Sequence, residues 1–167
     1  TVLKDDPMLN VRLVSGRDPH RVILDSRLRI PLDAKVLNIK SDAKAYIVTT
    51  TDVVDDKISE LKKKGVEIVS VDSREGYIDL SHLMKELGRM GITSLMIEGG
   101  SETNASALRS GIIDKVLIFM SPKIIGGQDS KVSIGGRSPD RLADALSLNN
   151  LKVRRSGEDT LIEGYLH

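Results

Sequence analysis

The stretch from Ser94 to Ser106, S-L-M-I-E-G-G-S-E-T-N-A-S, constrains this chain more than any other. Ser94 to Ile97 is a short apolar run of strand type, two glycines break it, and Ser101 opens a segment with the chemistry of a helix N-terminus. The pattern predicts a strand feeding a helix through a Gly-Gly turn. Without Cβ atoms such a turn lets a ligand approach the backbone closely, and the first free N–H groups of the helix point at it, which suits a phosphate. Glu98 falls at the carboxyl end of the strand, beside whatever is bound. The same residues fit an ordinary tight β-to-α turn with a surface carboxylate, and short glycine motifs match by chance often enough that both readings stand at this point.

Upstream, Asp5-Asp6-Pro7 is turn chemistry, and Leu9, Val11 and Leu13 alternate with Asn10 and Arg12 as in a short half-buried strand with Arg12 on its polar side. A loop over Ser15–Pro19 leads to a strand over Arg21–Asp25, whose unbroken apolar centre predicts burial on both faces. Ser26-Arg27-Leu28-Arg29-Ile30-Pro31 leaves its carboxyl end. Ala45 to Thr49 is a further strand, closed by a Thr-Thr-Thr-Asp cluster. Val53 to Lys64 has helical spacing (Val54, Ile58, Leu61) and stops at Gly65, with lysines in the last turn opposing the negative helix end. Val66–Val71 reads as a strand, Asp72–Asp79 as a loop, and Leu80–Met90 as an amphipathic helix stopped by Gly91.

After the helix Glu102–Ser110 the pattern changes. Val116–Met120 reads as a buried strand, Gly126-Gly127 is a second glycine pair, and Lys131–Asp144 is loop-like with a short helix around Leu142. Leu151–Arg155 and Leu161–Leu166 flank Ser156-Gly157-Glu158-Asp159 as a hairpin with a loop of the three- to five-residue class. The order predicts an α/β fold, a largely parallel sheet covered by helices, closed by two antiparallel strands into a mixed sheet. No repeat, low-complexity tract or linker divides the 167 residues, a length that fits one domain.

Composition narrows the functions. A net charge of +1 gives no electrostatic case for nucleic acid or a membrane surface, and one Phe, three Tyr and no Trp offer few stacking platforms for single strands. The absence of cysteine removes disulfides, thiolate nucleophiles and cysteine metal sites together, and is compatible with a cytoplasmic location. His20, His82 and His167 have no metal-ligand spacing, so no metal is expected. The G-x-G-x-x-G fingerprint, the G-x-x-x-x-G-K-[ST] loop and the G-x-S-x-G elbow are all missing.

Four places carry polar groups that a fold alone does not require: Asp5 and Asp6 with Arg12, Ser26 with Arg27 and Arg29, the Thr49–Thr51 cluster, and Glu98-Gly99-Gly100-Ser101. Serine and arginine after a strand suit a phosphate monoester, because the guanidinium fork matches phosphate oxygens; a solvated basic loop has the same composition. One seat for a pyrophosphate and another for an extra phosphate would suit a dinucleotide carrying a 2′-phosphate.

Four motifs in order, T-V-L-K-D-D-P-M-L-N-V-R, R-V-I-L-D-S-R-L-R-I-P, I-E-G-G-S and G-I-I-D-K-V-L-I-F-M-S-P-K-I-I-G-G, resemble the pyrimidine reductase of riboflavin biosynthesis. That family comprises the carboxy-terminal half of the bacterial bifunctional deaminase/reductase and the stand-alone archaeal and fungal reductases. The resemblance implies a dihydrofolate-reductase-like three-layer fold and an oxidoreductase using NADPH as cofactor. The expected reaction reduces the ribosyl side chain of 2,5-diamino-6-ribosylamino-4(3H)-pyrimidinone 5′-phosphate, or of 5-amino-6-(5-phosphoribosylamino)uracil, to the ribityl form. It implies cofactor contacts at Thr1, Asp5, Ser26, Arg27, Arg29, Thr49, Thr50, Gly99, Gly100, Ser101, Glu102 and Thr103. It places Asp5, Asp6, Leu9, Arg12 and Glu98 at the substrate, with Asp6 and Glu98 as the catalytic pair, and implies a homodimer. The family has a first strand and helix before the T-V-L-x-D-D-P motif, so the expectation is a single reductase domain that starts after them. A dihydrofolate reductase fits less well, because its pocket needs aromatic walls. A nucleotide-binding module without catalysis is the reading from another class.

Overall fold

The structure is a computed structural model that describes residues 2–53, 56–74 and 76–166. Its chain divides into two compact units, one up to Leu95 and one from Met96 onward. In the first, a four-residue helix α1 (Val2–Asp5) precedes three strands, β1 (Arg21–Leu24), β2 (Ala45–Thr50) and β3 (Glu67–Val71). They pair in parallel in the order β1-β2-β3, with Ile23 opposite Ile47 and Ile47 opposite Ile68. β2, the middle strand, is buried at all six positions, as a parallel strand covered on both faces should be. Its neighbours are less uniform: Leu24 at the end of β1 is exposed.

Between β2 and β3 runs helix α2 (Lys57–Lys63), whose one fully buried side chain, Leu61, joins Ile23, Leu28, Ile30, Val36, Ile47 and Val66 in the core. Each such aliphatic side chain stabilises the fold by roughly 1.5–3 kcal/mol through removal of its surface from water. The helix is shorter than its apolar spacing predicts, and Val54 lies outside the described residues. The segment between β3 and the next helix is not a plain loop: Ser73–Arg74 (β4) and Tyr77–Ile78 (β5) form a small antiparallel pair around Gly76, whose φ is +79°.

Helix α3 (Leu80–Arg89) begins on Asp79, whose carboxylate accepts the N–H groups of Ser81 and His82 at 2.8 and 3.0 Å. These satisfy two of the free donors of the first turn. The His82 N–H, followed by that of Ser81, holds the Asp79 carboxyl below its ordinary value. Leu80, Leu83 and Leu87 form its buried face, and Gly91, at φ +80°, ends it.

At the amino end of β1 stands Arg21, 4% exposed, its Nη2 donating to Ala43 O at 2.9 Å while Nε and Nη1 have no partner. Burial lowers its pKa, opposed by the charge of Asp18.

The expected strand over Leu9–Leu13 is absent. Leu9 takes a left-handed conformation at φ +53°, and Val11 N donates to Asp18 Oδ1 at 2.9 Å, so the segment folds back on its own loop instead of entering a ladder. Leu13, 98% exposed, then points into solvent.

In the second unit, helix α4 (Ser101–Arg109) is followed by β6 (Lys115–Met120), β7 (Asn149–Ser156) and β8 (Asp159–Tyr165). The strands are antiparallel in the order β6-β8-β7. The hairpin joins β7 to β8 through Gly157 and Glu158 alone, because Ser156 already pairs with Asp159. Gly157 at φ +65° supplies the left-handed residue that so tight a turn needs, in place of the expected longer loop. A 3₁₀ turn at Leu142–Asp144 meets the expected short helix.

Two expectations fail in this part of the chain. β6 is not buried: Leu117, Ile118, Phe119 and Met120 are 39–59% exposed, since β8 flanks it on one side and no described strand pairs with the other. Ser94–Ile97 joins no sheet among the described residues. No described strand pairs with it, and Leu95 and Met96 are exposed. An apolar run becomes a strand only when a neighbour satisfies its backbone groups. The parallel and antiparallel strands therefore occur as foreseen, but in separate sheets among the described residues.

Candidate functional site

Parallel pairing brings the carboxyl ends of β1, β2 and β3 to one edge of the sheet, the edge where open α/β sheets bind ligands. From the end of β1 the chain makes a compact loop. Asp25 is buried, its Oδ2 accepts Ile30 N at 2.7 Å, and Leu28 N donates to Asp25 O at 3.2 Å. Leu28, at φ +48°, and Ile30 drop their side chains into the core. The alternate residues Arg27 and Arg29 are thereby turned outward, exposed and unpaired among the described residues, with Ser26 half-buried ahead of them. Lys57 at the start of α2 closes over this loop, its Nζ donating to Leu28 O at 2.7 Å.

Thr49 and Thr50 end β2 on the same edge. Both are buried, and the Thr49 hydroxyl oxygen has no hydrogen-bond partner. An orphaned buried hydroxyl is uncommon enough to call for a reason, and a ligand at the strand end supplies one.

The segment after α1 is held in two left-handed residues, Asp6 at φ +40° and Leu9 at φ +53°, which is strained backbone for side chains of this kind. Both Asp6 oxygens face Lys35: Oδ1 accepts the Lys35 N–H at 2.9 Å, and Oδ2 lies 3.4 Å from its Nζ. Leu9 packs its side chain against the core, leaving only its backbone to a ligand. Arg12 and Asp5 are exposed. Asn10 Oδ1 is buried without a partner, a second orphan in this segment. Thr1 lies outside the described residues.

In the second unit Gly100 is the N-cap of α4 and supplies no side-chain cap, so the first-turn N–H groups are left to other partners. Gly99 is there for space: a Cβ on it would stand 2.9 Å from Thr103 Cγ2 and 3.0 Å from Thr103 Cβ. Glu98 is exposed, and Ser101 and Thr103 are half-buried. Glu102 is already committed, its Oε1 accepting Gly136 N at 3.2 Å.

Within the first unit the structure thus brings Ser26, Arg27, Arg29, Thr49 and Thr50 to one sheet edge, and within the second it brings Glu98, Gly99, Gly100, Ser101 and Thr103 to one helix start. Sequence reasoning missed Asn10, Lys35 and the Gly135-Gly136 pair. The last had a visible signal, a third glycine pair; Lys35 had none. Among the described residues no group of His, Asp or Glu is placed to hold a metal, and no helix is long and apolar enough to cross a membrane.

These features define a dihydrofolate-reductase-like α/β protein, and the structure superposes on the RibD of Acinetobacter baumannii with a TM-score of 0.78 at 25% identity, over 98% of this chain and 44% of that one. The yeast riboflavin biosynthesis reductase Rib7 has the same fold, with a TM-score of 0.74 at 22% identity over 98% of this chain and 71% of that one. The family profile described as the RibD C-terminal domain matches residues 1–162, and the chain belongs to that family. Among named relatives, the riboflavin biosynthesis protein RibD of Actinobacillus pleuropneumoniae is 37% identical over 163 residues, 98% of this chain but 43% of its own length. The 2,5-diamino-6-ribosylamino-4(3H)-pyrimidinone 5′-phosphate reductase of Methanothermobacter thermautotrophicus is 37% identical over 166 residues, 98% of this chain and 74% of its own. The chain thus spans less than half of the RibD proteins it matches.

Proposed function

We propose that this chain carries the reductase activity of riboflavin biosynthesis, using NADPH to convert a ribosylamino-pyrimidine 5′-phosphate to its ribitylamino form. The observation that carries the reading is the carboxyl edge of the parallel sheet, where a buried Thr49 hydroxyl lacks a partner and two guanidinium groups stand exposed and unpaired. Family membership supports it.

Each unit, taken by itself, offers groups suited to part of the cofactor. Arg27 and Arg29, with Ser26, are suited to its 2′-phosphate, Thr49 and Thr50 to the groups beside the strand end, and the Gly99–Thr103 turn to its pyrophosphate. When bound, NADPH would supply hydride to C1′ of the substrate's open-chain imine. The protein's contribution is then placement and proton management. Reduction of an imine adds one proton at nitrogen, and Glu98 and Asp6 are the carboxyl groups assigned to that exchange. Lys35 fixes the Asp6 carboxylate in one orientation. Arg12 and the left-handed backbone at Leu9 suit the substrate phosphate. Holding the reacting atoms close and dry supplies the acceleration.

The test is loss of NADPH absorbance with each of the two candidate pyrimidine phosphates, deaminated and not. Wild type should turn over one of them, and Glu98→Gln and Asp6→Asn should each lower kcat by about 10²-fold. Cofactor binding without turnover of either substrate would favour a nucleotide-binding module. Turnover untouched by both substitutions would remove the catalytic pair.

A further inference from the structure

Helix α4 is held by little apolar contact. Its buried side chains are Ala105 and Ala107, and a methyl group is worth only about 0.8 kcal/mol of burial. What fixes the first turn is polar and comes from a segment outside the proposed site, Ser133–Gly136. Three hydrogen bonds join this segment to Ser101, Glu102 and Asn104 of the helix. Gly135 N donates to Ser101 O at 3.0 Å, Gly136 N donates to Glu102 Oε1 at 3.2 Å, and Asn104 Nδ2 donates to Ser133 O at 2.9 Å.

The glycines in this strap let it run close against the helix. A Cβ on Gly135 would run into Glu102 Oε1, and one on Gly136 would lie 2.5 Å from Arg109 Nη1 and 3.0 Å from Ala105 Cβ. Gly136 also sits at φ +76°, where any side chain is strained. Close approach, left-handed backbone and paired donors all coincide on the turn that Gly99 and Gly100 open.

Glu102 gains a specific task from this. A carboxylate in the first turn of a helix is favourable for the helix itself, yet it repels a phosphate seated at the same end. By accepting the Gly136 N–H, the side chain is drawn onto the strap, and the uncapped N–H groups of the turn are left for the ligand.

We propose that Ser133–Gly136 is a positioning strap for the pyrophosphate seat, and that Glu102, assigned by resemblance to touch the cofactor, is instead the residue that fastens the strap to α4. This rests on the NADPH-dependent reading above. The strap acts through the helix: it sets where the first-turn N–H groups point and so how tightly the cofactor is held, and it touches neither pyrimidine nor reacting atoms.

The experiment measures NADPH affinity by fluorescence titration, then KM for each substrate and kcat, in wild type and in Glu102→Ala, Glu102→Gln, Asn104→Ala and Gly136→Ala. Glu102→Ala and Asn104→Ala each remove one hydrogen bond and should weaken NADPH about three- to tenfold. Gly136→Ala should weaken it about tenfold or more, since strain and collision add. Glu102→Gln keeps an acceptor at the same reach and should recover most of the loss. KM for the pyrimidine and kcat at saturating NADPH should stay within about twofold in Asn104→Ala, because only seating is altered. If Glu102→Ala and Asn104→Ala bind NADPH as wild type does, or Asn104→Ala loses both KM values and kcat in step, the strap does not position the seat. If wild type itself fails to bind NADPH, the reductase reading falls first and this inference with it.

Discussion

The two units hold their candidate site segments by opposite means. In the first, the loop Ser26–Arg29 hangs from a parallel sheet whose middle strand is wholly buried, and the anchors are apolar: Leu28 and Ile30 lie in the core, with the buried Asp25 carboxylate closing the turn on Ile30 N. In the second, the strands of the sheet leave Leu117, Phe119, Leu151 and Val153 exposed, and the Gly99–Thr103 turn is steadied by hydrogen bonds from a neighbouring loop. Both present main-chain or side-chain donors that the proposed function assigns to phosphate groups. One relies on packing, which tolerates little change of volume, and the other on directional bonds, which tolerate little change of backbone.

Core truncation should separate the units most sharply. Ile47→Ala empties a fully buried position and should cost about 2–5 kcal/mol in denaturant unfolding, whereas Leu117→Ala, at an exposed position, should cost less than about 1 kcal/mol. Equal costs would mean that β6 is covered in solution.

A smaller effect tests the loop. Asp25→Ala leaves the buried Ile30 N–H without an acceptor and should cost about 1–3 kcal/mol, while weakening NADPH because Arg27 and Arg29 lose their fixed base. If stability falls and NADPH affinity does not, the loop is not a cofactor element.

Smaller still is the cap of α3. Asp79→Ala should cost about 1 kcal/mol at neutral pH. The folded-state carboxyl titrates below the ordinary aspartate value, so the cap's contribution is present above that value and fades as pH falls through it toward the lower folded-state pKa. Wild type and variant should therefore converge in acid; a gap that persists there would mean that the carboxylate is not the capping group.

Much of this contrast was legible in the sequence. The strands of the parallel sheet, the α3 and α4 boundaries with their glycine stops, and the closing hairpin follow from period, β-branched runs and turn residues, signals that act over a few positions. The expected strands at Leu9–Leu13 and Ser94–Ile97 show where such reasoning ends. Alternation at Leu9–Leu13 is real, yet a left-handed Leu9 and the Asp18 carboxylate seven residues beyond Val11 decide its shape. Ser94–Ile97 has strand composition but no described neighbour, and pairing is not a local property. The Ser26–Arg29 loop and the Gly-Gly turn were readable because each needs a particular residue type at a particular strand or helix end. Lys35 on Asp6 was not, being a contact across 29 positions that neither residue announces.

The most direct measurement is turnover of the ribosylamino-pyrimidine phosphate with NADPH and with NADH, by wild type and by the double variant Arg27→Ala/Arg29→Ala. Wild type should prefer NADPH, and the double variant should lose about 10- to 100-fold of that preference through KM for NADPH, with NADH little affected. Equal losses with both cofactors would contradict the assignment of this loop to the 2′-phosphate, and no turnover by wild type with either would contradict the reductase itself.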